Sequence, residues 1–242
     1  MKSMTYIIMA LLLLSLPSQA RNVRDSTAKL RIRFINCVNG KPLSFDSIYL
    51  NSSGERYNIT KLRYYISNIA LPGNVHLKEQ DNYHLIKQGE ETSFLIPVRN
   101  GRYSSISFLL GVDSMHNCSG AQTGALDPMN DMFWTWNSGY VIFKMEGRSA
   151  ASTADLNRIE YHIGGYRFGN NVSTVVNLKL DDVLIINNPR VNEITIQVNL
   201  DAFWNAVNNI NIQDTPVCST PGVMAKKIAS NFSYMFSIIK PK

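Results

Sequence analysis

The stretch KLRIRFIN at residues 29–36 alternates Leu30, Ile32 and Phe34 with Lys29, Arg31 and Arg33. A period of two turns one face inward and the other to solvent, which is the pattern of a half-buried strand. Residues 62–71 read the same way, with Leu62, Tyr64, Ile66 and Asn68 on one side and Tyr65, Ser67 and Ile69 on the other. Further strands are expected at 103–112, 140–146, 158–162, 173–180 and 193–200. Pro72-Gly73, Asn100-Gly101, Gly164-Gly165 and Asn188-Pro189 separate them, since proline fixes φ and glycine frees it. Two late stretches break this rhythm. Asp201 is expected to cap a short helix carrying Phe203, Trp204 and Val207, and a second helix is expected from Pro221 or Gly222 to about Phe236, with Val223, Ile228, Phe232 and Phe236 near one face. Many short strands and few helices predict an all-β fold, an antiparallel β-sandwich with one or two short helices near the C-terminus.

The chain has 242 residues, 45% hydrophobic and 17% charged, which excludes solenoid, collagen-like and disordered classes. Its formal charge of +6 is scattered, with no basic stripe and no RNP or zinc-finger spacing, so nucleic acid is not an expected partner. Residues 1–20 read as a signal peptide: Lys2 and Ser3, an apolar run over 6–16, then Pro17, Ser18, Gln19 and Ala20, with cleavage expected after Ala20. That apolar run is far shorter than the roughly 20 residues of a membrane-spanning helix. No later stretch is apolar enough to span either. Residues 21–242 are therefore expected to be one exported domain, periplasmic or secreted. Of the three cysteines, Cys118 and Cys218 lie in loop-rich sequence and are the favoured pair over Cys37, and no two cysteines are spaced as a metal motif requires.

The segment 109–147, LLGVDSMHNCSGAQTGALDPMNDMFWTWNSGYVIFKMEG, is too long for a hairpin turn and rich in Gly, Asp, Asn, Met and aromatics. Trp134 and Trp136 stand at i and i+2, on one face if the chain is extended. By composition alone such aromatics read first as core packing. Asp113, Asp127 and Asp131 are spaced unlike a calcium loop, and Asp127-Pro128 reads as a turn.

Together with KLRYYISNIAL at 61–71, EYHIGGYRF at 160–168 and NFSYMF at 231–236, that segment resembles the MbnP-like copper-binding domain family over nearly the whole mature chain. The resemblance implies a periplasmic or secreted β-sandwich that binds copper in uptake or handling. It also implies a di-haem peroxidase-like partner protein, which in some members oxidises a Trp to kynurenine that helps hold the metal. By position the candidates are Trp134 or Trp136 for the modified side chain, the choice between them open, and His162 for a ligand.

Imidazole and thioether suit copper better than carboxylate does. The four histidines are His76, His84, His116 and His162, with Met115, Met129, Met132 and Met235 in or near the motifs. His162 ranks first as a metal ligand. His116, in the long loop, ranks second and His84 third; His76 and His84 read first as structural. Glu160, two residues before His162, could orient its ring. No Gly-x-Ser-x-Gly, His-Glu-x-x-His or phosphate loop is present, so an enzyme is not expected. The alternative to copper handling is a ligand- or glycan-binding sandwich without metal, its indoles beside Asn and Asp forming a sugar face.

Overall fold

A computed structural model describes residues 27–72, 82–119, 122–135, 138–187 and 191–239. The first half of the chain forms β1 (Thr27–Val38), β2 (Lys41–Pro42), β3 (Tyr49–Leu50), β4 (Arg56–Ala70), β5 (Tyr83–Lys87), β6 (Ser93–Arg99) and β7 (Gly101–Leu110). The second half adds β8 (Phe133–Thr135), β9 (Gly139–Arg148), β10 (Arg158–Gly164), β11 (Thr174–Ile186), β12 (Asn192–Asn199), β13 (Val217–Cys218) and β14 (Phe236–Ile239). Three short helices accompany them, α1 (Ser114–Cys118), α2 (Asp201–Trp204) and α3 (Val223–Ala229).

The strands build two sheets. The smaller runs β14-β12-β1-β2, with β6 also on β1; the larger runs β11-β7-β4-β9-β10-β13, with β3 and β5 on β4 and β8 on β9. Alternation explains the layering. Leu30, Ile32 and Phe34 from β1 meet Leu62, Tyr64 and Ile66 from β4 in one buried interior. Phe34 lies edge-on to Tyr64 and Phe108 at 6.2 and 5.9 Å between ring centroids. The buried amide of Asn36 is satisfied: it accepts from the Tyr64 hydroxyl at 2.8 Å and donates to Gln88 at 2.9 Å.

The all-β sandwich agrees with the sequence, but its sheets are mixed rather than purely antiparallel. β1 pairs parallel with β12, in register from Leu30 opposite Asn192 to Cys37 opposite Asn199, and β13 pairs parallel with β10. Strands β5, β6 and β14 went unread in the sequence. β14 lies where a helix to Phe236 was expected: α3 stops at Ala229, a 3-10 turn follows, and Phe236 enters the smaller sheet opposite Val198. Val223, expected on the apolar face, is 86% exposed. Asp201 is the first residue of α2 rather than its cap, and its carboxylate accepts from the Asn39 amide instead. Val207 lies beyond that helix, exposed.

The expected Cys118–Cys218 disulfide does not form; all three cysteines are free. Cys218 faces the core between the sheets, while Cys118 is exposed on α1, in the long loop over the other face of the larger sheet. No helix among the described residues is long and apolar enough to cross a membrane.

Candidate functional site

The described parts of the long loop, residues 111–119 and 122–135, lie over the outer face of the larger sheet. Tyr65 of β4, Tyr83 of β5 and the consecutive Tyr140 and Val141 of β9 form a second apolar cluster with Val112, Leu126 and Met132 of this loop. Polar ends of two of these rings tie the loop down. The Tyr65 and Tyr140 hydroxyls donate to the carbonyls of Ala125, at 3.0 Å, and Leu126, at 2.7 Å. Asp113 caps α1 by accepting from the His116 amide, and Asp127 accepts from the Met129 amide at the head of a proline-started 3-10 turn. Asp127 thus starts a turn, as its sequence indicated.

The loop returns to the sheet at Asp131, whose φ of +58° is the left-handed conformation that Asp tolerates better than most residues. Phe133 and Trp134 follow in β8. A Cβ placed on Gly164 would lie 2.8 Å from Cζ3 and 3.1 Å from Cη2 of Trp134, so the indole rests on the bare backbone of β10. His162 precedes Gly164 by two residues on that face, so about 7 Å of strand separates indole and imidazole positions. Trp136 and His76 lie outside the described residues.

The His162 ring is held by carboxylates. Its Nε2 is 2.8 Å from Glu146 on the neighbouring strand β9, and its Nδ1 is 3.8 Å from Glu160, too far for a hydrogen bond. The orienting partner is therefore Glu146 across the ladder rather than Glu160 along the strand. The hydrogen bond from His162, together with Lys61 at 3.1 Å, outweighs partial burial and brings the Glu146 carboxyl down to about 2.

Two rows of side chains cross the strands here. Arg63 of β4 stands opposite Lys87 of β5 and Lys144 of β9, and Lys144 stands opposite His162 of β10. In the next row Lys61, Glu146 and Glu160 are opposite one another. Asp131 descends between them, with Oδ1 2.9 Å from Lys144 and Oδ2 3.3 Å from Lys61 and 3.7 Å from Arg63. Burial opposes ionisation of Asp131, yet Lys144 and Lys61 hold its pKa below the usual value. Sequence reading passed over Lys61, Arg63, Lys144 and Glu146 as strand polar positions; the one signal was Lys144, a cation inside the apolar run YVIFKM.

The other two described histidines, His116 and His84, have partners of their own. His116 Nδ1 lies 2.5 Å from the Tyr83 hydroxyl and 3.0 Å from Asp113. His84 stands opposite Ile66 on the inner face and stacks on Phe94 of the smaller sheet at 3.5 Å between centroids. Of the loop methionines, Met115 and Met129 are exposed and Met132 is buried. Among the described residues no three His, Cys, Asp or Glu side chains converge as a metal cage. The local donor set is one imidazole between two carboxylates beside an indole, which is a partial fit for a soft metal and not a complete one.

No curated protein sequence matches the chain. Its fold is similar to that of MbnP from Methylosinus trichosporium, at 14% identity and a TM-score of 0.51 over 80% of this chain and 83% of that one. The sequence profile of the MbnP family matches residues 27–224, which take in every strand but β14 and the loop over the larger sheet, and the chain belongs to the MbnP family.

Proposed function

We propose that this chain is an exported, non-enzymatic copper-handling protein, with copper its cargo and the face between Trp134 and His162 its site of uptake. The observation that carries this reading is the Trp134 indole seated on Gly164, on the strand and face of His162. Family membership supplies the link to copper. Glu146 holds the His162 ring through Nε2, an arrangement that orients imidazole ligands and raises their basicity in metal sites. In this reading Nδ1 is the nitrogen that faces the metal, and Trp134 is the side chain that a di-haem peroxidase-like partner oxidises to kynurenine, with Trp136 the second candidate. The partner supplies the oxidant; this chain's own residues bind, orient and shield.

The test is titration of the purified protein with Cu(I) against a chromophoric chelator. The expected result is near-stoichiometric copper that is lost in His162→Ala and kept in His84→Ala, whose ring faces the sandwich interior. Undiminished copper in His162→Ala would defeat the assignment.

A further inference from the structure

We propose that Lys144 is a positioning residue of this site: its buried ammonium, directly across the ladder from His162, latches Asp131 to the sheet and so sets the Trp134 indole on Gly164. The inference rests on the reading of Trp134 and His162 as the copper-facing pair, and it adds the group that brings them together.

Three observations lead to it. First, the residue row Lys87, Arg63, Lys144 and His162 places basic side chains opposite one another on four successive strands. Like charges directly opposite disfavour pairing, so a bare sheet of this sequence would repel itself along that row. Lys87 finds Glu90 at 3.6 Å, at the end of its own strand. Arg63 and Lys144, in the middle, have Asp131 of the loop as their shared carboxylate.

Second, Lys144 is 4% exposed, and lysine is almost never so buried without a partner. Its ammonium donates to the main-chain carbonyl of Asp131 and pairs with the carboxylate of the same residue. Arg63 grips the preceding carbonyl, of Asn130, at 2.7 Å. The sheet thus holds two consecutive carbonyls at the point where the left-handed turn of Asp131 sends the chain into β8. Lifting the loop would strip its partner from a buried cation, a costly state that keeps the loop closed.

Third, the indole follows three residues after the latched one, and between them Met132 accepts from the Val141 amide at 2.9 Å. Little slack separates the latch from Trp134. Lys61 joins the two halves of the site, since it pairs with Asp131 and with Glu146, the residue that holds His162.

The experiment uses isotope-labelled protein without copper and two variants. Lys144→Met keeps the aliphatic volume and removes the charge; Asp131→Asn removes the negative charge and keeps a side chain that tolerates the left-handed φ of +58°. In the native protein the Gly164 Hα resonances carry a ring-current shift from Trp134, calibrated by Trp134→Ala. The expected result in both variants is loss of at least about half of that shift and about tenfold faster exchange of the Val141 amide. Thermal stability of Lys144→Met should be unchanged or higher, because a buried charge replaced by an apolar group of similar size relieves the repulsive row. A merely structural lysine would lower stability and leave the glycine shift in place. Unchanged Gly164 shift and Val141 exchange in both variants would overturn the proposal. Copper separates the two readings: failure of the native protein to take up Cu(I) would defeat the functional reading, while the two apo readouts would still decide the latch.

Discussion

Substitution of Gly164 by alanine tests the contact on which the site depends. The glycine's φ is not in the left-handed region, so a methyl group there brings no backbone strain. What it brings is steric. The added Cβ would fall 2.5 Å from the Tyr140 carbonyl oxygen and 2.8 Å from Cζ3 of Trp134. The indole, half-buried at the sheet surface, can swing outward; the carbonyl belongs to β9 and can move only with its strand. Overpacking of this kind costs about 1–3 kcal/mol, and the rigid carbonyl places Gly164→Ala toward the upper end of that range. In a domain of this size each kcal/mol lowers Tm by about 2–4 °C, so about 2–3 kcal/mol corresponds to an expected fall of roughly 4–12 °C. Differential scanning fluorimetry measures it. Indole emission should shift to longer wavelength in the same variant as Trp134 leaves its seat, and it should shift less in a Trp134→Phe background. A Tm within about a degree of the native value, with unchanged emission, would show that the indole does not rest on β10.

Two further predictions follow from the same geometry. Glu146, brought from 4.5 to about 2, and Asp131, lowered by its lysines, contribute stability that is complete above their unfolded-state pKa values and is lost as pH falls through the folded ones. Urea midpoints of the copper-free protein should therefore fall between about pH 5 and 2, and Glu146→Gln should flatten that slope; an equal slope in the variant would refute the assignment. In the native protein one thiol, Cys118, should react rapidly with an aromatic disulfide reagent, and Cys37 and Cys218 only after unfolding. Fewer than three thiols titrated in denaturant would reveal a bridge.

The strands were legible because burial on one face writes its own period into the sequence. β1, β7 and β12 each carry it, and their buried residues coincide with the alternating positions read in those stretches, whereas β9 is buried on both faces over Tyr140–Phe143 and reads as a continuous apolar run. β14 was not legible: FSII follows a 3-10 turn whose Phe232 and Met235 are buried as helical residues would be, so the apolar spacing continued across a change of backbone. The parallel partner of β1 could not be read either, since alternation states which face is buried and not which strand lies beside it. The disulfide expectation failed for a related reason. Cys118 and Cys218 share loop-like surroundings in sequence, but the larger sheet stands between the core-facing thiol and the one on α1.

The candidate site shows where such reading stops. The motifs point to His162 and to Trp134 or Trp136 without choosing between the indoles, and each motif gives a residue without its neighbours. What joins them is register. Arg63, Lys144 and His162 are 81 and 18 residues apart along the chain, taking 144 minus 63 and 162 minus 144, and become adjacent only when β4, β9 and β10 align in one specific pairing. A slip of one residue between β9 and β10 would bring Lys144 opposite a core-facing neighbour of His162, breaking both the row and the hydrophobic layer beneath it. The apolar face of the sheet therefore fixes the electrostatics of the opposite face. Burial of Phe143, Met145, Tyr161 and Ile163 sets the register, the register sets a row of cations, and that row sets the position at which an anionic loop residue is needed. Asp131 occupies that position three residues before the indole, so the same side-chain pattern that packs the core also places Trp134 beside the imidazole strand.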